Sequence, residues 1–160
     1  MTNNIITLTP TGIDDLNTLF QFQLDKEATY LAAFMATDST DKTAYIERYI
    51  KYLTDPTINN QTIKLNGNIV GSVAKFMMKD EAEITYWIDK KFWGKGIATS
   101  ALKIFLNIEI VRPIYARAAF DNFGSQRVLT KCGFIQIGKD KGFANARQAE
   151  IEEYIYKLNS

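Results

Sequence analysis

A chain of 160 residues that is 46% hydrophobic can bury one substantial core, and a formal net charge of +1 offers no field for a nucleic acid or a charged surface. It contains no histidine and one cysteine, Cys132. That excludes an internal disulfide, Ser-His-Asp and Cys-His nucleophilic machinery in their usual form, and a structural zinc site. Any proton transfer runs through carboxylates, hydroxyls, amines, the thiol or water. The opening MTNNIITLTP lacks the basic and apolar regions of a signal peptide, and no stretch approaches the roughly 18 apolar residues of a membrane span. One soluble domain over residues 1–160, in the reducing cytoplasm, is expected.

The first element is a strand at Ile5–Leu8. TPTGIDDLNTLFQFQLD follows, with Thr11 as helix N-cap, Asp14 and Asp15 in the first turn, and Ile13, Leu16, Leu19, Phe20 and Leu24 at helical spacing. A second helix is expected after the cap region Asp38-Ser39-Thr40, from Ile46, Tyr49, Ile50 and Leu53 at i, i+3, i+4 and i+7, with Pro56 beyond its end. QTIKL (61–65) and NIVGSVAKFMM (68–78) flank Asn66-Gly67, the dipeptide most favoured in a two-residue hairpin turn. AEITYWID (82–89) alternates Ile84, Tyr86 and Ile88 with Glu83, Thr85 and Trp87, the two faces of a strand.

Beyond a glycine turn, Ile97, Ala101, Ile104, Phe105, Ile108 and Val111 form one stripe that Leu102 and Leu106 widen, the mark of a buried helix. PIYARAAF (113–120) is a further strand, and strand, crossover helix, strand makes a parallel βαβ unit. In DNFGSQRVLTKCGF a short helix starts near Asn122, turns Val128, Leu129 and Cys132 to one side and stops at Gly133. FIQIG (134–138) and AEIEEYIYKL (149–158) are closing strands, with KDKGFANARQ (139–148) as a long polar connection. The order β-α-α-β-β-β-α-β-α-β-β predicts an α+β fold, a mixed sheet with helices on both faces.

The glycine turn carries the chemistry. DKKFWGKGIATSALKIF (89–105) joins strand to helix through Gly94-Lys95-Gly96. Such a turn bares the first amides of a helix, which lack intrahelical partners and sit at the positive end of its dipole, so an anion is favoured there. GKGIATSA lacks the G-x-x-x-x-G-K-[ST] of a P-loop. The dinucleotide fingerprint G-x-G-x-x-G fails as well: Thr99 holds the third glycine position, and the next strand, around Ala116, is not acid-terminated. Lys91–Gly96 instead nearly matches [Q/R]-x-x-G-x-[G/A], followed by an alanine and a buried helix. Downstream, DNFGSQRVLTKCGF is similar to N-x-x-S-x-x-V-L-x-K-x-G-F. With both segments in register along a matching element order, the chain resembles the GNAT superfamily of N-acetyltransferases, in particular the branch of ribosomal-protein N-terminal acetyltransferases.

The resemblance implies the GNAT acyl-CoA N-acyltransferase fold, a mostly antiparallel sheet with a central pair of parallel strands that splay apart. It also implies direct attack of a primary amine on acetyl-CoA, with no metal. The cofactor pyrophosphate would then lie on the backbone of Gly94, Lys95, Gly96, Ile97, Ala98 and Thr99. Its pantetheine arm would follow Trp87, Ile88 and Asp89 and meet Asn122. Lys90, Lys91, Lys95 and Arg127 are placed to assist the phosphates. Lys91 stands where the family usually has Gln or Arg, at little expected loss because the contact is mostly through backbone. The candidate base is Glu83, on the strand leading into the turn; Glu81, Glu150, Glu152 and Glu153 have no motif behind them. Many relatives place a tyrosine seven positions after the motif asparagine. Position 129 here is Leu, and this branch instead offers the hydroxyl of Ser125 to the leaving sulfur. Cys132, on the apolar side of its helix, reads as packing, which disfavours an acyl-cysteine route.

The family resemblance puts the acceptor against the first two helices and late strands, here LDKEATYLAAFMATDSTD and KDKGFANARQ. Neither segment separates a protein N-terminus from a polyamine, an amino acid or an antibiotic amine; the branch favours a protein or peptide α-amine. No nucleic-acid or membrane partner is expected, and a monomer and a homodimer fit equally. Two other classes compete: a non-catalytic acyl-CoA-binding sensor of the same fold, suggested by the missing tyrosine, and a nicotinamide-dependent oxidoreductase, which the failed fingerprint opposes.

Overall fold

The computed structural model describes residues 4–160. Seven strands form one sheet in the order β1-β2-β3-β4-β5-β7-β6: β1 Ile6–Pro10, β2 Asn59–Leu65, β3 Asn68–Met78, β4 Glu81–Ile88, β5 Ile114–Ala119, β6 Ile135–Ala144 and β7 Ala149–Leu158. Every neighbouring pair is antiparallel except β4 and β5, which run parallel as the crossover helix requires. Among the described residues there are five α-helices: α1 Leu16–Phe22, α2 Lys26–Ala32, α3 Lys42–Thr54, α4 Ile97–Ile108 and α5 Phe123–Lys131. None is long and apolar enough to cross a membrane.

Local chemistry explains most of these boundaries. Asn66 and Gly67 both have positive φ (52° and 85°), as a tight hairpin turn demands, and Lys79-Asp80 repeats the geometry between β3 and β4 without a glycine. Helix α5 stops as expected. Gly133 takes φ 93°, its N–H donates to the Thr130 carbonyl and the Phe134 N–H to that of Leu129, which together satisfy two orphan carbonyls. The main core holds Ile63, Val73, Ile84, Ile88, Leu102, Phe105, Ile114, Leu129 and Tyr156, joining the sheet to α4 and α5. Leu16, Phe20 and Tyr45 form a second cluster between α1 and α3.

Several expectations need correction. Thr11 does not cap the first helix. It is buried, its hydroxyl bonded to Thr62 Oγ1 (2.9 Å) and Asn60 Oδ1 (3.2 Å). The cap falls to Gly12, whose N–H donates to Asp15 Oδ2, ahead of a 3-10 turn at Ile13–Asp15, and Leu24 lies outside the helix. The second predicted helix is capped by Asp41, which accepts from the Ala44 N–H, while Asp38 closes a local turn on Thr40. Between them lies a helix the periodicity did not reveal, α2, seven residues capped by Asp25. Helix α4 ends at Ile108, so the apolar stripe stops short: Ile108 and Val111 are exposed. Residues 139–144 of the presumed connection continue β6, an edge strand held to β7 by cross-strand pairs Lys139–Glu152 (3.3 Å) and Lys141–Glu150 (3.5 Å).

Candidate functional site

The parallel ladder between β4 and β5 is short. Ala82, Glu83 and Ile84 pair with Ile114, Tyr115 and Ala116, and there it ends, although β4 runs on to Ile88 and β5 to Ala119. Beyond Ile84 the β5 side of β4 has no partner strand. The Asp89 N–H donates to Val70 on the β3 side (2.8 Å). Because peptide groups alternate along a strand, those of Tyr86 and Ile88 face the gap.

A cavity of about 620 Å³ opens at this gap. Tyr86, Trp87 and Ile88 line it from β4, Gly94 and Gly96 to Thr99 from the turn and the start of α4, and Asn122, Ser125 and Arg127 from α5. Gly94 and Gly96 both take φ 76°, and a side chain built on either would meet nothing within 4 Å. The two glycines thus leave clear space in front of the unpaired amides of α4, a cradle that a Cβ would fill.

Most of the residues singled out in the sequence therefore meet in one place; five, Asp89, Lys90, Lys91, Lys95 and Glu83, do not line this cavity. Asp89 caps the short 3-10 turn Lys90–Phe92 and accepts from the Lys91 N–H. Lys91 and Lys95 are exposed, and Lys95 lies over the Phe92 ring at 5.6 Å. Lys90 faces Glu27 at 2.5 Å and Asp25 at 3.9 Å, an ion-pair link from the turn to α2. Asn122 is committed at both ends of its amide: its oxygen caps α5 at the Ser125 N–H (3.3 Å) and its nitrogen donates to the Leu31 carbonyl (3.3 Å).

The fifth is Glu83. It is buried on the opposite face of β4 from Ile84, beside Arg117. Arg117 Nε lies 3.6 Å from Glu83 Oε1, beyond hydrogen-bond reach, and is buried without a partner. Its Nη1 is held by Glu153 (2.8 Å) and Asp140 (3.3 Å). Burial pushes the Glu83 carboxyl above the usual carboxylate range; Arg117 opposes that shift, and Glu81 and Glu153 add to it. Glu83 is thus a carboxylate of raised basicity next to the gap.

Three side chains at the site escaped sequence reasoning. The Tyr86 hydroxyl lies 2.6 Å from Ser125 Oγ, joining β4 to α5 across the cavity, and burial raises its pKa so that the phenol stays protonated. Alternation placed Tyr86 with Ile84 and Ile88 but could not show what its hydroxyl met. The Trp93 indole N–H donates to the Ile88 carbonyl at 2.9 Å, capping one of the peptide groups that face the gap. Arg147, in the β6–β7 turn, forks onto both Asp121 oxygens (2.9 and 2.7 Å), donates to the Tyr30 carbonyl and stacks over the Tyr30 ring. Together with Asn145, which donates to the Met35 carbonyl, it fixes α2 as a wall of the cavity. Burial raises the pKa of Cys132, whose thiol lies 3.6 Å from the Thr99 carbonyl.

A second cavity, of about 500 Å³, is walled by α3 and by β2 to β4 and shares Tyr86 and Trp87 with the first. The two segments expected around an acceptor differ in where they lie relative to these cavities. Helix α2 sends Glu27, Ala28, Leu31 and Ala32 into the first cavity, and residues 139–148 line neither.

Solved structures share this fold over nearly the full chain. The microcin C7 self-immunity acetyltransferase MccE, in complex with acetyl-CoA and AMP, is 21% identical with a TM-score of 0.79, covering 99% of this chain and 94% of its own. RimJ of Mycobacterium smegmatis, in complex with CoA-disulfide, is 20% identical at TM-score 0.79, covering 97% and 82%. Spermidine N-acetyltransferase of Vibrio cholerae, with CoA and spermine, is 18% identical at TM-score 0.78, covering 96% and 95%. No curated protein sequence matches the chain. The model of the acetyltransferase (GNAT) domain matches residues 6–135, most of the chain. With its splayed β4–β5 pair and its glycine cradle at the start of α4, the chain belongs to the GNAT acetyltransferase family.

Proposed function

We propose that this protein transfers the acetyl group of acetyl-CoA to a primary amine. The observation that carries the reading is the meeting of two cavities at Tyr86 and Trp87, where β4 parts from β5. One cavity begins at an anion cradle and suits a long phosphorylated cofactor; the other gives an amine a separate approach. Acetyl-CoA supplies an activated thioester when bound. The amides of Ile97 to Thr99 would hold its phosphates, and the Tyr86 peptide group and the Ile88 N–H would pair with its amide-bearing arm, the Ile88 carbonyl being held by Trp93.

The chain's own residues then have definite tasks. An ammonium is not a nucleophile, so Glu83 takes a proton from the acceptor, directly or through water, helped by its raised pKa. Ser125 Oγ, held by Tyr86 Oη, offers a hydroxyl to the departing sulfur. The pair does the work of the helix tyrosine that Leu129 replaces; Leu129 is fully buried in the main core and has no access to the site. Kinship to the ribosomal-protein branch favours a protein or peptide α-amine over other acceptors, and a cytoplasmic setting suits such a substrate.

Two measurements test the reading. Acetyl-CoA at about 100 times its dissociation constant should add roughly 2.7 kcal/mol of stability and raise Tm by several degrees, whereas NAD should not. Release of free CoA in the presence of an amine panel then separates an enzyme from a sensor: binding with no turnover of any amine would leave only the sensor.

Gly96→Val should abolish the cradle. A β-branched residue at φ 76° is a steric outlier, and its side chain would occupy the space in front of the α4 amides. Calorimetric titration should show acetyl-CoA affinity reduced at least tenfold, about 1.4 kcal/mol, in a folded variant. Unchanged affinity would remove the glycine turn from the binding site.

A further inference from the structure

Resting on the transfer reading above, we propose that the second cavity takes a ring-bearing primary monoamine as the acceptor. Helix α3 carries an aromatic ladder into it. Phe20 and Tyr45 lie 5.2 Å apart between ring centroids, Tyr45 and Tyr49 stack at 4.3 Å, and Tyr52 meets Tyr49 edge-on at 5.2 Å. The helical spacing 45, 49, 52 stacks these rings along one face of α3. The ladder starts in the buried α1–α3 cluster and ends at the cavity, where Tyr49 and Tyr52 form a wall. Tyr52 is 37% exposed, and among the described residues no ring follows it. A substrate ring would be the next rung, at the offset or edge-on geometry that aromatic pairs prefer.

The remaining walls suit the same occupant. From the sheet come Phe76, Trp87 and Met77, the last 43% exposed and able to shape itself to a ring. Among the described residues no lysine or arginine lines the cavity, so a phosphate-bearing acceptor would find no counter-charge there. Two cations on the adjoining elements are committed elsewhere: Lys75 donates to the Thr57 carbonyl and faces Glu109, and Arg48 lies over Tyr45. Among the described residues the lining holds one acid, Asp55, whose Oδ1 accepts from the Thr57 N–H (2.8 Å) and hydroxyl (2.7 Å) while its Oδ2 stays free. A polyamine would bring two or more ammoniums to this one carboxylate, whereas a monoamine loses its only charge when it gives up its proton. A volume of about 500 Å³ holds a ring and several further atoms. The shared residues Tyr86 and Trp87 put the amine end next to the cofactor cavity.

The test compares matched pairs with acetyl-CoA as donor: phenethylamine against butylamine, a tripeptide beginning with Phe against one beginning with Ala, and spermidine alone. The ring-bearing member should win by at least tenfold in kcat/KM in one or both pairs, and the pair with the larger advantage identifies a free amine or a peptide N-terminus as the source. Tyr52→Ala should raise KM for the ring-bearing amine several-fold and shrink its advantage; Tyr52→Phe should restore both. Spermidine as the best substrate, or no ring advantage in either pair, overturns the proposal while leaving acetyl transfer intact. If acetyl-CoA binds but no amine is acetylated, the transfer reading fails separately. The pocket is then judged by titrating phenethylamine into the acetyl-CoA-loaded protein and following tryptophan fluorescence. A saturable change lost in Tyr52→Ala supports the ring site, and a flat titration overturns it.

Discussion

Glu83→Gln should lower kcat/KM by about 10²–10⁴-fold, the usual worth of a positioned general base, while acetyl-CoA affinity stays unchanged. The amide keeps the shape of the carboxylate but cannot accept a proton. Glu83 lies outside the lining of the cavity proposed for acetyl-CoA, so binding has no reason to suffer. In the unmodified enzyme, kcat/KM should fall on the acid side as Glu83 becomes protonated. Because burial raises its pKa, that fall should lie above the range of an ordinary carboxylate. The variant should lose this acid limb and recover relatively as pH rises, when more of the amine is already deprotonated.

Stability should move the other way. A carboxyl whose pKa is raised in the folded state stabilises below its unfolded pKa, and that contribution is lost as pH rises through the folded pKa. Gln carries no such penalty, and Arg117 keeps Glu153 and Asp140, so the Tm of the variant relative to the unmodified protein should rise from about pH 4 to about pH 8. Ser125→Ala offers the contrast: a smaller loss in kcat, because Tyr86 and water can still donate at the sulfur, and an unchanged pH profile. Full activity of folded Glu83→Gln at neutral pH would place the base elsewhere.

Gly71→Ala should cost about 3 kcal/mol, at the upper end of overpacking penalties. A Cβ at Gly71 would lie 2.1 Å from the Trp87 carbonyl oxygen and 3.1 Å from Ile88 Cα, both backbone atoms that cannot swing aside. Gly71 pairs with Ile88, so relief requires β3 and β4 to separate at the strand segment that forms the meeting point of the two cavities. Urea unfolding should show the loss, and Tm should fall by roughly 6–12 °C for a chain of this length. A destabilisation below about 1 kcal/mol would mean that the two strands approach less closely here than described.

The contrast between Gly71 and Gly96 shows what a sequence reveals. Gly96 sits in a strand-to-helix turn with a second glycine two residues before it and a buried helix after it, a local pattern with a local meaning. Asn66-Gly67, Gly133 and the alternation of β4 are legible for the same reason, since each is decided by φ preferences and side-chain periodicity within a few residues. Gly71 interrupts a strand with nothing nearby to explain it; its cause is a carbonyl 16 positions later in sequence, across a ladder.

The elements missed or misplaced share that dependence on distant partners. Helix α2 is only seven residues long, too short for periodicity to speak, and is held by Arg147, Asn145 and Asn122 from the far end of the chain. Residues 139–144 are polar enough to read as a loop and become a strand because β7 supplies their hydrogen bonds and opposite charges. Thr11 has the makings of an N-cap, yet Thr62 and Asn60 on β2 claim its hydroxyl. By itself the sequence determined the cradle, the order of most elements and the family, all carried by short-range backbone geometry and motif spacing. Only the tertiary structure decided that Tyr86 meets Ser125, that Glu83 meets Arg117, and that the rings of α3 end in a second cavity, because each needs residues far apart in sequence to be brought together by strand register and helix packing.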